Sequence, residues 1–277
     1  MRTFPTLTSL FLKQLIRRKS IWIIVIIFAA VVFLNYIITA RMDEAIGRGV
    51  SYDVATKQAA SALRSFAEQI KSFSIVLIIF VSALVAPASR KDGTSQFVLT
   101  LSSSRFKLAI SQYAALSLFI AVSVFIIHGG YVAAALKLGV MSLPEIFLSW
   151  IFLLIPLLLY SAIVFFVSLS SSIISTYIIF LAIPYIAIGL AESLIKEFSH
   201  YVPMFIVRFW DNLEFLYPNM DNLILWPRLS PAITLKEPPV PDWTWQITHL
   251  IACLLFWIFL GYRFYNNYNF GSRTPTK

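Results

Sequence analysis

A chain of 277 residues that is 59% apolar, has a mean hydropathy of +0.80 and carries only 13% charged residues lacks the polar surface that an ordinary soluble domain needs. Its net charge of +9 is held in short stretches flanking long uncharged runs, a pattern that excludes a nucleic-acid-binding surface and fits an integral membrane protein. The fold class expected is all-α, with the helices crossing a bilayer.

Residues 1–19 are basic and acid-free, and 4–19 place Leu7, Leu10, Phe11 and Leu15 on one helical face with Lys13, Gln14, Arg17 and Arg18 elsewhere. This predicts a cytoplasmic amphipathic helix lying in the inner membrane interface, with Pro5 tolerated in its first turn. Uncharged runs then follow at 20–40, 72–89, 108–136, 146–191 and 243–262. About 20 apolar residues cross a hydrocarbon core of roughly 30 Å, so the run 146–191 is long enough for two crossings, with the polar stretch Ser168–Thr176 as the turn between them. Six spans are predicted, near 20–40, 72–89, 108–129, 146–168, 172–191 and 244–262. The first is too long, and lacks the small-residue site, for a cleaved signal peptide.

Charge sets the orientation. Residues 1–20, 90–107 and 263–277 carry +5, +3 and +3, whereas 41–71, 130–145 and 192–242 carry +1, 0 and −3. Positive loops stay inside, so the N-terminus, the loop 90–107 and the tail 263–277 are expected in the cytoplasm of a plasma (inner) membrane, and 41–71 and 192–243 outside. Residues 53–71 show helical spacing of Ala55, Ala59, Ala62, Phe66 and Ile70, which predicts an external helix leading into the second span. The large loop 192–243 combines an aromatic amphipathic stretch with Pro227, Pro231, Pro238, Pro239 and Pro241. It is expected to cap the outer mouth and to offer a surface to an external accessory protein, with Trp210, Trp226, Trp243 and Trp245 as an interfacial belt.

The predicted spans contain no Asp, Glu, Lys or Arg, which argues against a proton-driven carrier. His128, His200 and His249 are scattered and show no metal-ligand spacing, so no metal site is expected. No phosphate-binding loop of the Gly-x-x-x-x-Gly-Lys-Ser/Thr type is present, and no Gly-x-Ser-x-Gly motif; no catalytic residue or bound cofactor is expected. Cys253 is the single cysteine and reads as a small core hydrophobe. Pro156 and Pro184 fall inside the fourth and fifth spans, where proline kinks a helix, and are candidate hinges.

The most specific signal is the cytoplasmic loop Arg90-Lys91-Asp92-Gly93-Thr94, followed by Phe97, Val98, Leu99 and Leu101 and closed by Ser102-Ser103-Ser104-Arg105. A polar turn followed by a short amphipathic segment and a basic anchor offers apolar residues and charge to a cytoplasmic partner. This stretch resembles the loop of permease subunits of ABC-2-type ABC transporters. Gly93 and Thr94 match its start, Val98 and Leu99 its apolar pair, and Ser104 and Arg105 its end. The departures are a lead reduced to Arg90-Lys91-Asp92 and Ser102 in the place of the usual proline.

The span layout and the basic N-terminal helix are similar to the NosY-like branch. The resemblance implies that two six-span subunits pair, as a homodimer or with a paralogous permease, and that two copies of a separate ATPase subunit holding ATP and Mg dock beneath. The residues Arg90, Lys91, Asp92, Gly93, Thr94, Phe97, Val98, Leu101 and Arg105 would couple ATP hydrolysis to export or translocation across the membrane. Two alternatives from the same residues are an ATP-driven mechanotransmitting or assembly subunit acting on an external partner through the outer loops, and a membrane-embedded lipid enzyme.

Overall fold

In the computed structural model, the described residues are 4–40, 52–91, 104–137, 142–188, 203–204, 217 and 243–267. Among them the chain is helical, without strands: α1 (Phe4–Arg17), α2 (Lys19–Ala40), α3 (Tyr52–Lys91), α4 (Arg105–Lys137), α5 (Leu143–Ser170), α6 (Ile173–Tyr177), a π-helical segment (Ile178–Ile188) and α7 (Trp243–Asn267). Among the described residues, four helices are long and apolar enough to cross a membrane, over Ser65–Ala86, Arg105–Lys137, Leu143–Ser170 and Thr248–Asn267. Ile21–Leu34 and Ile173–Pro184 form shorter apolar helices.

Several boundaries follow from local chemistry. Ser142 and Glu145 form a capping box at the start of α5: the Glu145 carboxylate accepts from the Ser142 backbone N–H at 2.6 Å. The chain breaks after α5 at Ser171–Ser172, where Ser172 Oγ accepts from the Ser175 N–H at 3.1 Å and the Ser171 and Thr176 hydroxyls pair at 2.7 Å. The hydroxyls of this run thus satisfy polar groups that a turn leaves open. Inside the helices Ser74, Ser111, Ser123 and Ser168 donate to the carbonyl four residues back, so these hydroxyls are satisfied without water.

α3 is one continuous helix of 40 residues, about 60 Å long, running through both the predicted external helix and the predicted second span. Lys71 within it is 5% exposed and ion-paired with Glu68 one turn back. α4 passes through Gly129-Gly130 and continues to Lys137.

The core is built around α3, α4 and α5, which all pack on one another. α1 and α2 lie against α4, and α7 lies chiefly against α5. The share of the apolar window that is buried is 67% in α5 and 22% in α7, which marks α7 as peripheral. Gly261 permits this docking: a Cβ there would stand 2.4 Å from the Phe166 carbonyl oxygen and 2.9 Å from the Val167 nitrogen, both backbone atoms of α5.

Contacts identify the two ends of the bundle. At one end Arg18, between α1 and α2, meets the last part of α3 at the Leu84 carbonyl at 3.1 Å, and the start of α4 meets the end of α7 through Phe106 and Tyr262, whose ring centroids are 5.7 Å apart. At the far end Val32 of α2 and Phe66 of α3 close on Gly130 of α4, and His128 of α4 meets Ser149 of α5 at 3.3 Å. The helices α2 to α5 therefore alternate in direction, while α5 and α7 run the same way.

Between them, the predicted loop 192–243 lies outside the described residues except for Pro203, Met204, Tyr217 and Trp243. Tyr217 packs on Phe180 of the π-helical segment at 6.4 Å and on Trp257 of α7 at 6.1 Å.

Candidate functional site at the basic end of the bundle

The end that carries Arg17, Arg18, Lys19, Arg105, Lys107 and Arg263 is also where the predicted coupling loop leaves α3 and enters α4. α1 reaches it as an amphipathic helix. Of its predicted apolar face, Leu7, Phe11 and Leu15 are buried and Leu10 is half-buried. The buried three lie at i, i+4 and i+8 on a helix that packs chiefly on α4, so protein rather than lipid covers this stripe.

An elbow joins α1 to α2. The Arg18 N–H donates to the Leu15 carbonyl at 3.0 Å, and the Arg18 carbonyl accepts from the Ile21 N–H at 3.1 Å, so the chain turns without losing backbone partners. Trp22 Nε1 donates to the Ile16 carbonyl at 2.7 Å and fastens the elbow from outside. Arg18 fastens it from inside: its guanidinium reaches across to the Leu84 carbonyl in the last part of α3. Beside it a cavity of about 20 Å³, the size of one water, is lined by Phe11, Gln14, Leu15, Arg18, Val85 and Gln112. Sequence reasoning missed this role of Arg18. In the run Arg17-Arg18-Lys19 the three cations look alike, and only the helical angle separates the inward one from its neighbours.

The predicted coupling residues divide as follows. Arg90 and Lys91 are the last two residues of α3. Asp92, Gly93, Thr94, Phe97, Val98 and Leu101 lie outside the described residues. Arg105 opens α4 immediately after Ser104, whose hydroxyl accepts from the Lys107 N–H at 3.1 Å as an N-cap. The Arg105 guanidinium donates to the Asn266 carbonyl, one of the last open carbonyls of α7. The loop is therefore framed on one side by the elbow, through Arg18 and α3, and on the other by α7, through Arg105.

The two candidate hinges occupy different surroundings. Pro156 lies inside α5, where it has no N–H to give the carbonyl of Phe152. Half a turn on, the Leu158 carbonyl accepts from Tyr113 Oη of α4 at 2.8 Å and from Ser161 Oγ at 2.7 Å. Tyr113 thus fixes α5 to α4 beside the proline. Pro184 lies in the π-helical segment, whose Phe180 is fully buried against Tyr160 and Trp257. π-helical turns are rare and are frequently found at functional sites.

Among the described residues no group of three His, Cys, Asp or Glu side chains converges to hold a metal. His128 is buried beside Ser149 and Tyr131 in the far half of the bundle, and Cys253 is buried in α7. Compared with known proteins, the chain matches no protein-family model and no curated protein.

Proposed function

We propose that this chain is the permease subunit of an ABC-2-type transporter, with six transmembrane helices, both termini cytoplasmic and ATP hydrolysis supplied by a separate ATPase subunit. The observation that carries the reading is the convergence at the basic end: the α1–α2 elbow, the end of α3, the start of α4 and the end of α7 are tied around the two ends of the loop 90–107 by Arg18 and Arg105. A push on that loop from below would be delivered to five helices at once: α1, α2, α3, α4 and α7.

The span count is supported by direction. α5 and α7 both end at the basic end, so the proposal takes the chain to return once between them, beginning with the segment from Ile173 to Ile188. Counted with α2 to α5 and α7, that return gives the six crossings of the proposal. The excess of Lys and Arg at one end supports its assignment to the cytoplasm.

In this account the chain performs no chemistry of its own. A second copy or a paralogous permease completes the pathway, and two ATPase subunits with ATP and Mg bind below. Their closure moves α3 and α4 through the loop, and Pro156 and Pro184 give the helices places to bend. Charge reversal at Arg105, or replacement of Phe97 and Val98 by polar residues, uncouples ATP hydrolysis from transport; mutants with full stimulation and transport would sink the coupling role.

A mechanotransmitting subunit acting on an external partner is the second reading. It is favoured by Tyr217, which packs on Phe180 and Trp257 and so links the predicted outer loop to the π-helical segment and α7. Transport of cargo in vesicles containing only the permease and the ATPase separates the two.

A further inference from the structure

α1 has two sides that α4 does not cover. On one flank Ile16 is 48% exposed, and across the elbow α2 continues with Ile23, Ile26 and Ile27, each more than half exposed. On the outward side Lys13 and Arg17 are exposed one turn apart, and Lys19, which opens α2 just past the elbow, is exposed too, in a stretch with no acid before Asp43. Arg18, by contrast, is turned inward on Leu84 and takes no part. The same outward side carries an open groove of about 590 Å³ along Pro5, Thr6, Ser9, Leu10 and Lys13, within the size range of small-ligand sites.

We infer that the outward side of α1 is a seat for an anionic phospholipid, with Lys13, Arg17 and Lys19 holding the headgroup phosphate and the Ile16 flank meeting the acyl chain. The argument is charge complementarity joined to continuity. An acidic protein surface would suit the three cations, but not the exposed Ile16 followed across the elbow by the exposed isoleucines of α2. A bilayer suits both, because Lys and Arg side chains extend to the phosphates while their stems lie along lipid. A basic group near such a surface strengthens attraction by about fivefold. The seat would bind the elbow to the anionic leaflet and so hold the support on which Arg18 acts. This inference stands apart from the permease reading, and its test contains no ATPase.

The full chain is reconstituted in phosphatidylcholine vesicles with a minority of phosphatidylglycerol. A trace of a photoactivatable analogue of either lipid is added, with the reactive group near the headgroup, and adducts are mapped by mass spectrometry. The seat predicts several-fold more adducts on residues 4–19 from the phosphatidylglycerol probe than from the phosphatidylcholine probe. The excess disappears in the triple variant Lys13→Gln, Arg17→Gln, Lys19→Gln. High salt on the unaltered protein collapses it too, since exposed charges are screened within a few ångströms there, and this second arm does not rely on the variant folding. Equal labelling by the two probes, or an excess that survives both the variant and high salt, overturns the seat. So does an absent excess together with protection of Lys13 and Arg17 by an added acidic peptide, which would give the surface to a protein.

Discussion

Gly261→Ala isolates one close approach in the bundle. An alanine Cβ would stand 2.4 and 2.6 Å from the carbonyl oxygen and carbon of Phe166 and 2.9 Å from the Val167 nitrogen, where ordinary contact begins near 3.4 Å. The obstructing atoms belong to the backbone of α5, which no rotamer change can withdraw, so α7 must retreat by about 1 Å. A gap of that size forfeits up to about half of the dispersion energy of the atoms that part. Helix association in a bilayer rests on such packing rather than on a hydrophobic drive. The expected loss is about 1–3 kcal/mol, the usual cost of overpacking, and larger for Gly261→Val.

Two other glycines are internal controls. At Gly130 the added Cβ meets Val32 Cγ1 at 2.5 Å, a side chain that a small helix shift can accommodate, and at Gly129 it meets nothing within 4 Å. Unfolding in mixed micelles of a mild detergent and dodecyl sulfate, followed by circular dichroism, should rank the alanine variants Gly129, Gly130, Gly261 from most to least stable. Gly129→Ala should be neutral or gain up to about 1 kcal/mol from helix propensity. A Gly261→Ala variant as stable as the Gly129→Ala variant would refute the close packing of α7 on α5.

Other outcomes follow from the same contacts. Tyr113→Phe removes the hydroxyl that donates to the Leu158 carbonyl beside Pro156, and should cost about 0.5–1.5 kcal/mol in the same unfolding assay. Arg18→Gln should leave the fold intact but loosen the elbow, read as faster hydrogen exchange in α1 and the last turns of α3; unchanged exchange would remove Arg18 from that role. Arg105→Glu places an anion at the start of α4 facing the open carbonyls of α7, and should abolish ATPase stimulation while the protein still inserts. Preferential labelling of α1 by an anionic lipid, lost with Lys13, Arg17 and Lys19, is the fourth.

The helical architecture was legible because lipid demands long uncharged runs and leaves no other way to satisfy the backbone. The turn at Ser168–Thr176 was legible as well, since its hydroxyls are what a turn between two helices needs. Three features were not. Lys71 looked like a boundary, but an ion pair with Glu68 lets α3 carry it inward. The third span was expected to end near residue 129, but Val32 and Phe66 close on Gly130, and α4 runs on to Lys137. The π register of 178–188 has no compositional signature; Pro184 announces a disturbance there but not its form. Of the candidate site, Arg105 could be picked out as an anchor by charge alone. The inward turn of Arg18, the Tyr113 contact and the Gly261 approach are tertiary and needed the neighbouring helices.

The central claim is that an ATPase acts on this chain through the loop 90–107. The most direct measurement purifies the tagged chain from its native membrane in mild detergent and assays the eluate for vanadate-sensitive ATP hydrolysis, beside the Arg105→Glu variant. The account predicts a co-purifying nucleotide-binding subunit in equal amount to the chain, with hydrolysis in the wild type and its stimulation lost in the variant. A chain that purifies without any nucleotide-binding subunit, in an eluate that does not hydrolyse ATP, would contradict it.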